Sequence, residues 1–201
     1  MNEHQEEISE ARLHFFERQE IALEHIPASG YILDIGGGGE GVIGQLEGER
    51  VVAIDTSERE LDEAPAGPAK FVMDATDLHF LDDTFKVVTA FFTLMYIPDG
   101  EHAQTFAEMF RVLAPGGRCL LWDVVCPPRT DLEKDILVLP LTVKLPEVEI
   151  STGYGARWPE AGRGIEHYVT LAEAAGFEVV ARSMQGHAIT LELRKPQPET
   201  R

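Results

Sequence analysis

The sequence predicts an α/β domain built on a doubly wound, mostly parallel sheet. Three observations point to it: short apolar runs alternate with helical stretches, a glycine cluster follows the first run directly, and two alternating segments around Gln185-Gly186 close the chain. With 201 residues, 44% of them hydrophobic and 26% charged, the chain can bury one core, so a single domain over 1–201 is expected.

The elements follow in order. Ile8, Ala11, Phe15, Ala22 and Ile26 recur at helical intervals among charged residues, which predicts an amphipathic helix capping the domain within 1–28. Tyr31 to Ile35 is a β-like run, a short helix begins near Val42, and Val51 to Asp55 is a second run. Lys70 to Met73 and Val87 to Phe92 have the continuous apolar character of strands buried on both faces. Ala103, Phe106, Ala107 and Phe110 give the inward stripe of a helix over 99–113, with Asp99 as its expected N-cap and Pro115-Gly116-Gly117 as its stop. Arg118 to Val125 is the next strand. A helix over 164–175 precedes an antiparallel hairpin over 177–195. Between 124 and 164 the rhythm breaks for too long to be a plain connection, and its proline-punctuated alternation suits an edge hairpin serving as a lid or a dimer contact.

Charge narrows the function. Lys+Arg 17 against Asp+Glu 35 leaves a formal net charge of −18, a field that repels phosphate backbones and anionic membranes. Neither a nucleic-acid nor a membrane partner is expected, and a small-molecule substrate is. Cys119 and Cys126 lack C-x-x-C spacing and read as buried hydrophobes, so no metal site is expected. The acidic first twenty residues lack the blocks of a secretion signal and no run is long enough to span a bilayer, which makes the cytoplasm the expected compartment.

The stretch with most chemical content is Leu33-Asp34-Ile35-Gly36-Gly37-Gly38-Gly39-Glu40-Gly41, a strand entering a turn without side chains, where a ligand can approach the backbone. Gly36, Gly38 and Gly41 satisfy G-x-G-x-x-G, and Asp55 stands where a ribose acid would, so spacing alone admits either a nicotinamide dinucleotide or S-adenosylmethionine (SAM). Electrostatics separates them. Asp34 and Glu40 would repel a pyrophosphate, whereas acids attract the ammonium and sulfonium of SAM.

Asp34 before the glycine turn, Asp55 ending the next strand, Asp74-Ala75 ending a third, the acid-rich Asp74 to Phe85, and Arg111-Val112-Leu113-Ala114-Pro115-Gly116-Gly117-Arg118 before a fifth together resemble the class I SAM-dependent methyltransferase family. The resemblance spans residues 31–125 and reaches more weakly through the final hairpin. It implies a Rossmann-like sheet of seven strands and a methyl transfer from SAM, leaving S-adenosylhomocysteine. It also implies that Asp34 with the backbone of Gly36 and Gly38 holds the methionine part, that Asp55 takes both ribose hydroxyls, and that Asp74 and Ala75 address adenine, with Thr56 and Phe91 in the same cofactor set. Glu40 stands in place of the family's third glycine, and Lys86 in place of the acid after Phe85.

Methyl transfer is an in-line displacement served by alignment and exclusion of water, and a base is needed only for a protonated acceptor. Tyr96 and Asp123, near strand ends, and Tyr154 in the insertion are the catalytic candidates, with His167 and Tyr168 behind them. Tyr154 and Trp158 are expected to wall the acceptor pocket, Arg157 to anchor an anion, and His14 with Phe15 and Phe16 to close the cofactor pocket. Two alternatives stand beside the methyltransferase: an NAD(P)-dependent oxidoreductase, for which no Tyr-x-x-x-Lys relay appears, and a SAM-binding protein without catalysis. A homodimer through the insertion is a further expectation.

Overall fold

The computed structural model describes residues 9–198. Its main sheet has seven strands in the order β10-β11-β7-β6-β3-β4-β5: β3 (Ile32–Ile35), β4 (Val51–Asp55), β5 (Ala69–Val72), β6 (Phe85–Phe91), β7 (Leu113–Val124), β10 (Glu178–Gln185) and β11 (Ala188–Arg194). Pairing is parallel from β5 through β7, and β11 is antiparallel to both β7 and β10. The doubly wound sheet and its closing hairpin are therefore as expected. The strand order reverses between β3 and β6, and an open α/β sheet binds its ligand outside the carboxyl ends at such a reversal.

Helices α1 (Val42–Glu47), α2 (Glu58–Glu63), α3 (His102–Val112) and α4 (Ile165–Ala175) complete the doubly wound part. Phe106, Met109 and Val112 of α3 and Tyr168, Val169 and Ala172 of α4 are buried against the sheet residues Val88, Cys119 and Leu191. Asp99 is not the cap expected of it: it begins a 3-10 turn (Asp99–Glu101), and its carboxylate pairs instead with Arg163 at 2.7 Å. The Arg111 phrase has a structural reason. Arg111 donates to the carbonyls of Leu78 and Phe80 and to the carboxylates of Glu108 and Asp82, so it ties the acid-rich segment onto α3.

The opposite face of the sheet is covered by a second sheet, where the sequence reading fails. No capping helix forms over the described part of 1–28, and Ile8 lies outside the described residues. Instead β1 (Leu13–Phe15) and β2 (Gln19–Ala22) run parallel along one edge of β8 (Ile136–Lys144), while β9 (Glu149–Arg157) pairs antiparallel along the other. Register slips by one residue between β1 and β2, opposite Pro140, which has no N–H to offer there. The buried positions are Phe16, Gln19, Leu23 and Ile26; of the expected helical stripe Ala11, Phe15 and Ala22 are exposed, and only Ile26 is buried among the described residues. Alternate residues of β8, Leu137, Leu139, Leu141 and Val143, are wholly buried and join Trp122, Val124 and Ala188 of the main sheet in one core.

The close of α4 offers a check on this packing. Gly176 caps it in the left-handed region at φ +104°, and a Cβ there would meet the Phe110 ring at 3.0 Å. Gly176→Ala is expected to cost about 1–2 kcal/mol, read from urea unfolding midpoints. An unchanged midpoint would contradict the tight α3–α4 seam.

Candidate cofactor and acceptor cleft

At the carboxyl ends of β3, β4, β5 and β6 a cleft of about 660 Å³ opens. Its floor is the glycine bend. The amide of Gly37 donates to the Ile54 carbonyl at 2.9 Å and that of Gly39 to the Glu60 carbonyl at 2.8 Å, pinning the bend to β4 and α2. Two glycines are sterically required. Gly36 has φ +71° with Thr93 lying where its side chain would go, and a Cβ on Gly38 would come within 2.8 Å of Asp55 Oδ2.

Seven of the eight expected cofactor residues, Gly36, Gly38, Asp55, Thr56, Asp74, Ala75 and Phe91, line this cleft. Asp55 uses Oδ1 to accept from the Ser57 amide at 2.9 Å, and Asp74 uses Oδ1 to accept from the amide and hydroxyl of Thr76, each at 2.8 Å. Each carboxylate keeps Oδ2 as an acceptor. The Thr76 bonds hold the Asp74 carboxyl below its usual range. With Met73, Ala75 and Phe91 as apolar surface between these acids, the walls suit a nucleoside that brings hydroxyl and amino donors on a flat ring. The residues present therefore fit the cofactor that the sequence implies.

Asp34 departs from its expected place. It is 3% exposed and does not line the cleft; its carboxylate lies under the bend, within 2.8 Å of where a Gly37 Cβ would be, and accepts from Thr89 Oγ1 at 2.7 Å. Burial pushes this carboxyl up to about 7, with the Thr89 bond opposing and the Asp55 charge adding to the rise. Asp34 acts on the cleft from beneath the backbone, not as a wall.

The catalytic candidates divide. Tyr96 and Tyr154 both line the cleft, with Tyr154 stacked on Phe92 at 5.5 Å between ring centroids. Desolvation, reinforced by the Glu40 charge, pushes the Tyr96 phenol up to about 12 and the Tyr154 phenol above its usual value as well. Both are donors at neutral pH. Asp123, 1% exposed, sits outside the cleft and accepts from the amides of Met95 and Val124 and from Tyr168 Oη at 3.0 Å. Burial lifts it to about 6, and these bonds make it a structural hub. Tyr168 is consumed in that hub, and His167 faces His102 at 2.8 Å instead of the cleft.

Other expectations are corrected by packing. Trp158 is buried, donates Nε1–H to the Pro127 carbonyl and packs on His14 and Phe16, while Phe16 stacks on His187 and Phe15 faces solvent. None of His14, Phe15, Phe16, Arg157 and Trp158 borders the cleft. The sequence reading missed Glu60, Phe92, Thr93, Ile97, Pro98, Glu101 and Gly153 as cleft residues. Phe92 and Thr93 follow directly on the fourth apolar run, so their position at a strand's end was a usable signal; Gly153 arrives from another sheet and gave none. A groove of about 480 Å³ between 20–27 and the β10–β11 hairpin gathers none of the three acids Asp34, Asp55 and Asp74.

Comparison with known proteins now decides the family. Residues 33–121 match the model of a methyltransferase domain. A ubiquinone/menaquinone biosynthesis C-methyltransferase UbiE from Stutzerimonas stutzeri is 34% identical over 181 residues, covering 80% of this chain and 70% of that protein. The chain belongs to the class I SAM-dependent methyltransferases. The UbiE of Desulfotalea psychrophila is 32% identical over 118 residues, which cover 54% of this chain and about half, 47%, of that relative. Among solved structures, a SAM-dependent methyltransferase from Methanosarcina mazei superposes with a TM-score of 0.63 at 18% identity over 87% of this chain and 96% of its own. A glycopeptide N-methyltransferase, MtfA, solved with SAM gives 0.55 at 18% identity over 85% and 89%. These two likenesses establish the shared fold, and membership of the family sets the nicotinamide reading aside.

The buried acid yields a pH test. Asp34 holds a proton in the native state between 3.8 and about 7 that the unfolded chain gives up. Native stability without ligand therefore falls as pH rises through that window, by on the order of a few kcal/mol. Asp34→Asn is expected to flatten the fall, measured as urea midpoints at about pH 5 and about pH 8. A slope the same as wild type would show that Asp34 is not the titrating group.

Proposed function

We propose that this protein transfers the methyl group of SAM to an apolar, aromatic small-molecule acceptor of quinone or phenol type. The observation that carries the proposal is that Phe92, Tyr96, Ile97, Pro98 and Tyr154 line the same cleft as the acids, with the Phe92 and Tyr154 rings stacked. Two relatives carry names that agree with it, a UbiE C-methyltransferase from Idiomarina loihiensis and a demethylmenaquinone methyltransferase from Clavibacter sepedonicus.

SAM would supply the electrophilic methyl group; the chain's own residues supply place and surroundings. Asp55 would accept from the ribose hydroxyls, and Asp74 with Ala75 would meet the adenine edge. Gly36 and Gly38 let the amino-acid tail lie on the backbone, and the acids Asp34, Glu40 and Glu60 around the bend favour its ammonium. On the acceptor side Tyr96, neutral at physiological pH, donates a hydrogen bond to a ring oxygen and orients the ring, while Tyr154, whose hydroxyl bonds Glu40, presents its ring as wall. The proton that a hydroquinone or phenol loses as it takes the methyl group leaves to solvent, and no side chain is assigned as general base.

The 124–164 insertion serves, in this proposal, as a roof. Thr152 donates to Glu40, and Gly153 and Tyr154 follow it into the cleft wall. Glu40, standing in place of the family's third glycine, thereby latches β9 to the cofactor bend and keeps water from the reacting groups. The acidic surface, the cytoplasmic location and an assembly through the insertion stay part of the proposal; among the described residues no helix is long and apolar enough to cross a membrane.

Two experiments test this reading. S-adenosylhomocysteine is expected to raise the melting temperature while NAD(H) and NADP(H) do not, and labelled methyl from SAM is expected to appear on short-chain hydroquinones before charged acceptors. Labelling of amines alone, or of nothing, would sink the acceptor assignment. Asp55→Ala is expected to weaken cofactor binding by about 1–3 kcal/mol with the fold intact, and wild-type affinity would remove Asp55 from the site. Glu40→Ala is expected to raise KM for the acceptor more than it lowers kcat, by about 1 kcal/mol in kcat/KM; a loss confined to kcat would contradict the latch.

A further inference from the structure

We propose that Asp99, His102 and His167 form a site for one divalent transition-metal ion, of the zinc or cobalt kind, beside the cleft. One ligand atom from each lies within 4.8 Å of the other two, so side-chain shifts alone bring them to the roughly 3.3 Å mutual spacing that a tetrahedral ion with a fourth, water ligand imposes at about 2 Å. The proposal is independent of the methyl-transfer reading.

The chemistry of the donor set supports it. His102 is wholly buried, and its Nε2 lies 2.9 Å from the Leu94 carbonyl and 3.0 Å from that of Ile97. Two acceptors at that distance require Nε2 to carry the proton, which fixes the tautomer and leaves a lone pair on Nδ1. A backbone carbonyl on the remote nitrogen is the usual outer support of a metal-bound histidine. That Nδ1 points at His167 Nε2, 2.8 Å away, so an ion replaces the hydrogen between two imidazoles and His167 moves its proton to Nδ1. Asp99 offers its second oxygen, since Oδ1 is held by Arg163 Nη2 at 2.7 Å.

Arg163 and the starts of α3 and α4 place positive charge nearby, and they act against a hard ion held by charge alone. Two imidazoles and one carboxylate select by lone-pair donation, which favours zinc, cobalt or nickel over magnesium or calcium. The Arg163 charge is itself met by Asp99 and, through Tyr168, by the buried Asp123. The consequence lies in the cleft. The ion would tie the start of α4 to the start of α3 and to the 94–99 segment, whose Tyr96, Ile97 and Pro98 form the acceptor wall.

The test uses the full chain without a histidine tag, stripped with a chelator. Titration with Co²⁺ is expected to give visible absorption bands that saturate at one ion per chain, and Zn²⁺ is expected to displace it and raise the melting temperature while Mg²⁺ does neither. His167→Gln keeps an N–H to donate to His102 but is a poor ligand, and Asp99→Asn keeps an oxygen for Arg163. Each is expected to weaken Co²⁺ binding at least about tenfold, the least that loss of even an outer partner costs. No saturable binding in the wild type, or binding that is unchanged in both variants, or a Mg²⁺ response equal to that of Zn²⁺, would overturn the proposal.

Discussion

The glycine bend between β3 and α1 is the constraint on which the rest of the site depends. Its amides at Gly37 and Gly39 are tied to β4 and α2, its outer surface is bare because Thr93 and Asp55 already fill the space a side chain would need, and a carboxylate lies beneath it. Such a surface can be approached closely by a ligand's backbone-like tail and by little else. Because the sheet order reverses beside this bend, the loops after β4, β5 and β6 fan out around it and bring Asp55, Asp74 and Phe91 to one opening.

The part of this plan carried by local sequence could be read in advance. Strands buried on both faces keep continuous apolar runs, and acids that end strands keep their place relative to the bend, so spacing for Asp55 and the family resemblance for Asp74 point to residues that both border the cleft. Asp34 was read as a wall residue for the same reason, and missed because burial direction is set by Thr89, 55 positions away on a strand that pairs only in three dimensions. The first strands were misread as a helix for a different physical cause. Ala11, Phe15 and Ala22 fall at helical intervals yet are exposed, and no local signal announces a partner strand more than a hundred residues later.

The second sheet follows from what β8 needs. β8 needs an apolar face toward the main sheet and hydrogen-bond partners on both edges, and the chain meets that need with β9 on one side and the interrupted β1–β2 pair on the other. Trp158, His14 and Phe16 are spent on that packing, which is why aromatic residues that looked available for a ligand are not. What remains of the insertion for function is the run Thr152-Gly153-Tyr154, where β9 passes the bend and meets Glu40 and Phe92.

Acidity ties these parts together. Glu40, Asp55, Glu60, Asp74 and Glu101 line one cleft, with Asp34 below it, and without a cation these carboxylates repel one another in a partly desolvated space. Burial is the main cause that lifts the Asp34 carboxyl to about 7, and of these charges Asp55 adds to the rise. A ligand carrying an ammonium and a sulfonium relieves that repulsion on arrival and favours the ionised form of Asp34, whereas a product that has lost the sulfonium charge relieves less of it. The same arrangement that draws in the charged cofactor therefore weakens the hold on its spent form, so an acid placed beneath the backbone, touching neither, can favour turnover over product retention.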